Sequence, residues 1–134
     1  MEHWDYPRIV KALTAGIASI ATFLFGQADG WLMTLLAFVV IDYVSGVASA
    51  SLRHKLSSRV GFQGILKKTM YFFVVAVAHC IDAATGAGGV LRNLSVGFLI
   101  ANEGISILEN CATCGIPIPD KLLRALAQIK GGDA

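Results

Sequence analysis

An aspartate, Asp42, stands in the middle of the longest apolar run of the chain, Trp31 to Ser51. His79 and Asp82 interrupt a second apolar run, and Glu103 a third. An ionisable side chain at the centre of a membrane-crossing helix costs roughly 2.5–3.5 kcal/mol on insertion scales. Groups that expensive face a bundle interior, a partner subunit or a water-filled path. The chain must therefore fold so that helices bury these groups against one another, and self-assembly is the expected business of the molecule.

Composition supports a membrane chain. Of 134 residues, 55% are hydrophobic and 15% charged, outside the soluble range and enough for one domain, 1–134. A net charge of +2 gives no footprint for nucleic acid. The three cysteines, Cys80, Cys111 and Cys114, lack the spacing of a disulfide scaffold and are read as reduced thiols.

Four apolar segments predict four membrane-crossing helices, at about 9–26, 31–52, 69–85 and 90–110. Nothing alternates with period two, and backbone groups in lipid must be satisfied internally, so the expected fold class is all-α and polytopic. The first segment, with Arg8 and Lys11 before it and Gly26-Gln27-Ala28 after it, also has the layout of a signal peptide. It is expected to be retained as the first membrane helix. The loop between segments two and three carries Arg53, Lys55, Arg59, Lys67 and Lys68 and no acid, which places it in the cytoplasm by the positive-inside rule. Arg8 and Lys11 put the N-terminus on the same side, and Lys121, Arg124 and Lys130 the C-terminus. Four crossings satisfy every loop at once. Pro117 and Pro119 then break the chain before an amphipathic helix at about 120–130, N-capped by Asp120, with Leu122, Leu123, Leu126 and Ile129 on one face.

Two polar stripes stand out. Asp42, Ser45, Gly46, Ser49 and Ala50 share one helical face, with Gly46 and Ala50 forming a small-xxx-small pair. Glu103, Ser106, Asn110 and Thr113 form a second, with Asn102 adjoining. Each stripe fits either packing within one chain or a face turned to neighbouring subunits or a pore. Two carboxylates near mid-depth raise each other's pKa if close, so one of the pair is a candidate for protonation. Asp82 and Arg92 flank a glycine-rich turn on the outer side and are expected to form an ion pair. His79 reads as a hydrogen-bonded structural histidine, with a proton relay as the sharper alternative.

No motif for catalysis, metal binding or a cofactor emerges. Cys111-Ala-Thr-Cys114 has the C-x-x-C spacing but no second pair for zinc and no redox-fold context. Gly86 to Gly89 lacks the Lys-Ser/Thr of a phosphate loop and reads as a hairpin between helices. The chain is not expected to be an enzyme.

Ile41-Asp42-Tyr43-Val44-Ser45-Gly46, then Leu56-Ser57-Ser58-Arg59-Val60-Gly61-Phe62-Gln63-Gly64 with Lys67-Lys68, resembles the phage lysis and toxin-secretion holins. The likeness continues through Asp82, Arg92 and Ala101-Asn102-Glu103-Gly104-Ile105-Ser106-Ile107-Leu108-Glu109-Asn110, and closes on Gly115-Ile116-Pro117-Ile118-Pro119 and the helix with Leu122. It spans roughly residues 31 to 130, and its ordered set is specific where single pieces are not. The resemblance implies a small multi-pass protein of the bacterial cytoplasmic membrane that homo-oligomerises in the lipid bilayer into a non-selective lesion. A muralytic endolysin escapes through it and the host lyses. The cysteines and His79 are not part of that pattern. A toxin-release holin, an antiholin-type regulator and a small ion or proton channel remain alternatives.

Overall fold

The computed structural model describes residues 5–55 and 57–129. Leu56, the expected helix end at Lys130, and the side chains of Val60, Leu126 and Ile129 lie outside what is described. Five helices follow in order: α1 (Tyr6–Phe25), α2 (Gly30–Leu52), α3 (Ser58–Thr85), α4 (Val90–Thr113) and α5 (Asp120–Ile129). No strand occurs among the described residues, as the all-α expectation requires.

Local chemistry accounts for the boundaries. Pro7 opens α1, where its missing amide costs nothing. The Asp29 side chain caps α2, accepting from the Leu32 amide at 3.0 Å. Gly86, in the left-handed region, closes α3. Pro117 and Pro119 separate α4 from α5 as expected. Asp120 is the first helical residue rather than the cap, and supports α5 as an acid in its first turn.

α4 is the central element. α2 and α3 both pack on it and touch each other only lightly, while α1 runs chiefly along α3, meeting α4 through Phe25, and α5 folds against α4. α2 and α4 run parallel over their whole length. Arg92 holds Asp29 at their beginnings, and Arg53 donates to the Thr113 hydroxyl at 2.5 Å at their ends. Leu35, Val75, Val96 and Leu99 make a small apolar core, joined by Phe25 and Tyr71. Phe25 meets Phe72 edge to face at 6.2 Å.

Burial is inverted relative to a protein in water. Large apolar side chains such as Phe23, Val40, Phe73 and Leu94 face outward, and α1 buries none of its residues. Asp42, Ser49, Asp82, Arg92 and Glu103 are buried. Lipid solvates apolar surface as well as a protein core does, so packing gain goes to polar groups and close helix approach. α1, α2 and Gly61–Thr85 of α3 are long and apolar enough to cross a membrane. The expected fourth crossing, about 90–110, is a helix of sufficient length but carries Arg92, Glu103 and Glu109 and does not share that apolar character.

The third helix differs from expectation at its start. It begins at Ser58, well before the expected 69, so Arg59, Lys67 and Lys68 lie on helix rather than in a loop. The cations end the apolar run but not the helix, because Lys and Arg are good helix formers. At 28 residues α3 is about 40 Å long, more than hydrocarbon needs.

Gly26 makes the bend from α1 to α2 at φ 76, ψ −164, a region open essentially only to glycine. An added Cβ would stand 3.0 Å from the His79 ring and 3.3 Å from Arg92 Nε. Gly26→Ala is expected to cost about 1–3 kcal/mol. Gly16→Ala, with open space around its Cβ, should leave the thermal midpoint in detergent unchanged or raised. Equal midpoints for Gly26→Ala and the parent chain would remove the constraint on the bend.

Candidate functional site

Three charged side chains from three helices meet at the centre of the bundle. Lys68 of α3 bonds the Asp42 carboxylate of α2 at 2.6 Å and also bonds Glu103 of α4. Its ammonium lies 5.9 Å from the centroid of the Tyr71 ring, within cation–π range. The side chains of Lys68 and Asp42 are 13% and 11% exposed and that of Glu103 2%, so the cluster is largely buried, with Lys68 and Asp42 bordering the gap between α2 and α3. In so poor a dielectric, charges persist only when mutually paired and hydrogen-bonded. Asn110 completes the set, donating to Asp42 Oδ1 at 3.0 Å and to the Ser45 hydroxyl at 3.0 Å. Among the described residues no buried side-chain polar atom lacks a partner.

The two polar stripes therefore face each other inside one chain. Ser49 is buried, and Ser45, Gly46, Ala50, Asn102, Ser106 and Asn110 are half-buried. A Cβ on Gly46 would stand 3.6 Å from the Asn110 amide nitrogen, so its lack of a side chain lets α4 approach. Asn102 turns to α3 and donates to the Tyr71 hydroxyl at 3.1 Å. Lys68, expected in the cytoplasmic basic loop with Arg53, Lys55, Arg59 and Lys67, is instead the counter-charge of the cluster. Its ammonium, rather than a proton shared between the acids, stands between Asp42 and Glu103. The sequence did contain a signal for it. Gly61, Gly64 and Lys68 share a helical face once α3 is extended back through the cations.

At the other end of the bundle, the expected Asp82–Arg92 ion pair is corrected. Asp82 accepts the backbone amides of Leu91 at 3.1 Å and Arg92 at 2.8 Å, so its carboxylate satisfies the orphan donors of the α4 start. The Arg92 guanidinium reaches Asp29 at 2.7 Å and the carbonyls of Phe25 at 2.6 Å and Gln27 at 3.1 Å. Planar guanidinium geometry suits several acceptors around a turn, which a point-charge pairing with Asp82 would forgo. The hydrogen bond from Arg92, with help from the Leu32 amide, holds the Asp29 carboxyl below its ordinary value. The His79 ring packs beside Gly26 in the same region. Cys80 and Cys114 are exposed, Cys111 is half-buried, and all three are free thiols.

Comparison with known proteins finds relatives over most of the chain. The bacteriophage holin family profile matches residues 19–131. A protein of Bacillus phage phi105 described as a probable holin is 41% identical over 97 residues, covering 72% of this chain and 71% of its own length. An uncharacterized 14.9 kDa protein of Clostridium perfringens is 42% identical over 125 residues, covering 90% and 95% respectively. An uncharacterized protein of Listeria innocua is 38% identical over 127 residues, covering 93% and 91%. No solved structure matches the chain.

Removing the shared cation should expose how much the cluster depends on it. Lys68→Met leaves two buried carboxylates without a counter-charge and is expected to destabilise the bundle by about 3 kcal/mol or more. Adding Glu103→Gln should recover part of the loss, whereas exposed Lys67→Met should be neutral. Thermal midpoints in detergent measure all three. Equal midpoints for Lys68→Met and Lys67→Met would show that the cluster does not hold the helices.

Proposed function

The chain belongs to the bacteriophage holin family, and we propose on that premise that it accumulates in the bacterial cytoplasmic membrane and assembles into a large non-selective lesion. A cytoplasmic muralytic endolysin passes through that lesion and triggers timed lysis. The observation that carries this reading is the buried cluster of Asp42, Lys68 and Glu103. Two carboxylates share one ammonium there, so the cluster carries a formal charge of minus one with all three groups ionised. A resting subunit tolerates this charge because Asn110, Ser45 and Tyr71 surround it. The arrangement is costly in lipid and cheap in water.

In this reading the chain crosses the membrane four times with both termini in the cytoplasm. The parallel run of α4 beside α2, tied at both ends, supports a crossing by α4, since Arg92 and Glu103 pair with charges of its neighbours rather than facing lipid. The cations Arg53, Lys55, Arg59 and Lys67 mark the cytoplasmic side. Crowded copies exchange internal partners for neighbouring ones along faces rich in Ser, Gly and Ala. Asp42, Ser45, Gly46, Ser49, Ala50, Asn102, Glu103, Ser106 and Asn110 then turn from the interior of one chain toward subunit contacts and water.

Expression beside a cytoplasmic endolysin is expected to give abrupt lysis at a set time. Asp42→Asn removes the residual charge, steadies the resting bundle and should delay that time at matched protein level. Graded selective currents without enzyme release would instead favour a small ion or proton channel. Delay of another holin's lysis would favour an antiholin, and toxin release without lysis a secretion role. An unchanged time course for Asp42→Asn would take the cluster out of the trigger.

A further inference from the structure

α2 and α3 follow each other in sequence, yet each packs on α4 and they leave a gap between them. That gap is a groove of about 210 Å³ with a largely apolar lining. Gly46 and Ala50 form one wall, and Gly61 and Gly64 the other. The Asp42–Lys68 pair stands at its deep end, with Lys55 and Ser57 at its mouth.

Two features bear on what fills the groove. A Cβ on Gly64 would meet nothing within 4 Å, and one on Gly61 only the Tyr43 hydroxyl at 3.8 Å. Glycine inside a helix costs about 1 kcal/mol relative to alanine, and no contact within the chain repays it at these two positions. The mouth, moreover, is built for an anion. Ser57 precedes the first turn of α3, but its hydroxyl caps no amide, so the orphan N–H groups of that turn lack a side-chain acceptor from it. Lys55 makes no ion pair among the described residues. A helix start with a serine hydroxyl and an ammonium beside it is the chemistry that holds a phosphate.

We infer that the groove binds one anionic phospholipid, with its phosphate at Lys55, Ser57 and the first turn of α3 and one acyl chain laid along Gly61 and Gly64. Charge argues for a lipid rather than a helix. A second copy in the same orientation brings its own Arg53-to-Lys68 cations to this level, whereas an anionic headgroup complements them. Lys68 already neutralises Asp42 at the deep end, so the chain terminus meets no bare carboxylate. The leaflet that supplies the lipid follows from the orientation proposed above, but the groove and its ligand do not depend on lesion formation.

Native mass spectrometry of the full-length protein released from detergent tests this without any lysis readout. The probes are phosphatidylglycerol, phosphatidylcholine and inorganic phosphate. One phosphatidylglycerol should be retained about tenfold better than phosphatidylcholine, with negligible retention of free phosphate. Lys55→Gln should weaken retention about fivefold, the effect of one basic side chain near an anionic partner. Gly64→Leu, which fills the groove, should reduce it to the phosphatidylcholine level, and Lys67→Gln, outside the lining, should leave it intact. Far-UV circular dichroism checks that Gly64→Leu folds; if it does not, the contrast between Lys55→Gln and Lys67→Gln decides. Equal retention of the two lipids overturns the proposal, as does equal behaviour of those two lysine variants. Loss of a dimer in Gly64→Leu with lipid retention unchanged would assign the groove to a second copy and likewise overturn it.

Discussion

One ammonium, that of Lys68, holds the centre of this bundle together. It is the only cation bonded to Asp42 or Glu103 among the described residues, and each of the three comes from a different helix. At contact distance and an effective dielectric near 20, an opposite-charge pair gains about 4 kcal/mol. The apolar surfaces of these helices gain almost nothing by association in lipid, so the polar centre dominates the preference for one arrangement over others. Gly46 and the amide of Asn110 let α4 close on α2 around it.

The two ends of the bundle use different chemistry. At the Gly26 bend, Arg92 gathers the carbonyls of Phe25 and Gln27 and the carboxylate of Asp29, so that the α1–α2 turn and the start of α4 are one unit. Asp82 fastens the end of α3 to the same point through backbone amides. At the basic end, α2 and α3 part, and Arg53 ties α2 to α4 beyond the Asn110 contacts. Apart from Phe25, α1 packs on α3. The bundle is thus firmly joined at one end and loosely at the other, and its outer helix has faces to spare. The proposed opening among copies would start at the looser end.

Much of this was legible in the sequence. Apolar runs of helical length, acids within them and the prolines after residue 115 fixed the helical class and four of the five segments closely. A 3.6-residue period places the stripes containing Asp42 and Glu103 on single helical faces, but it left open whether those faces meet inside one chain or turn to neighbours; in the structure they meet inside one chain. What failed was the treatment of cations. Lys68 looked like the edge of a loop because hydropathy falls there, and only the three-dimensional meeting of α2, α3 and α4 turns it into a buried partner. Arg92 was matched with the wrong acid for a related reason. Asp82 is near it in sequence, but helix-start amides claim that carboxylate, and Asp29 arrives from a turn more than sixty residues away.

The central claim is that the faces around Lys68 are sealed in the resting chain and become wet when copies assemble. Ser45→Cys, in a chain whose three native cysteines are replaced by serine, places a thiol beside Asn110 at that cluster. A charged thiol reagent applied to expressing cells should leave this position unmodified until lysis begins and label it at onset. Labelling throughout accumulation, or none at the moment of lysis, would contradict the account.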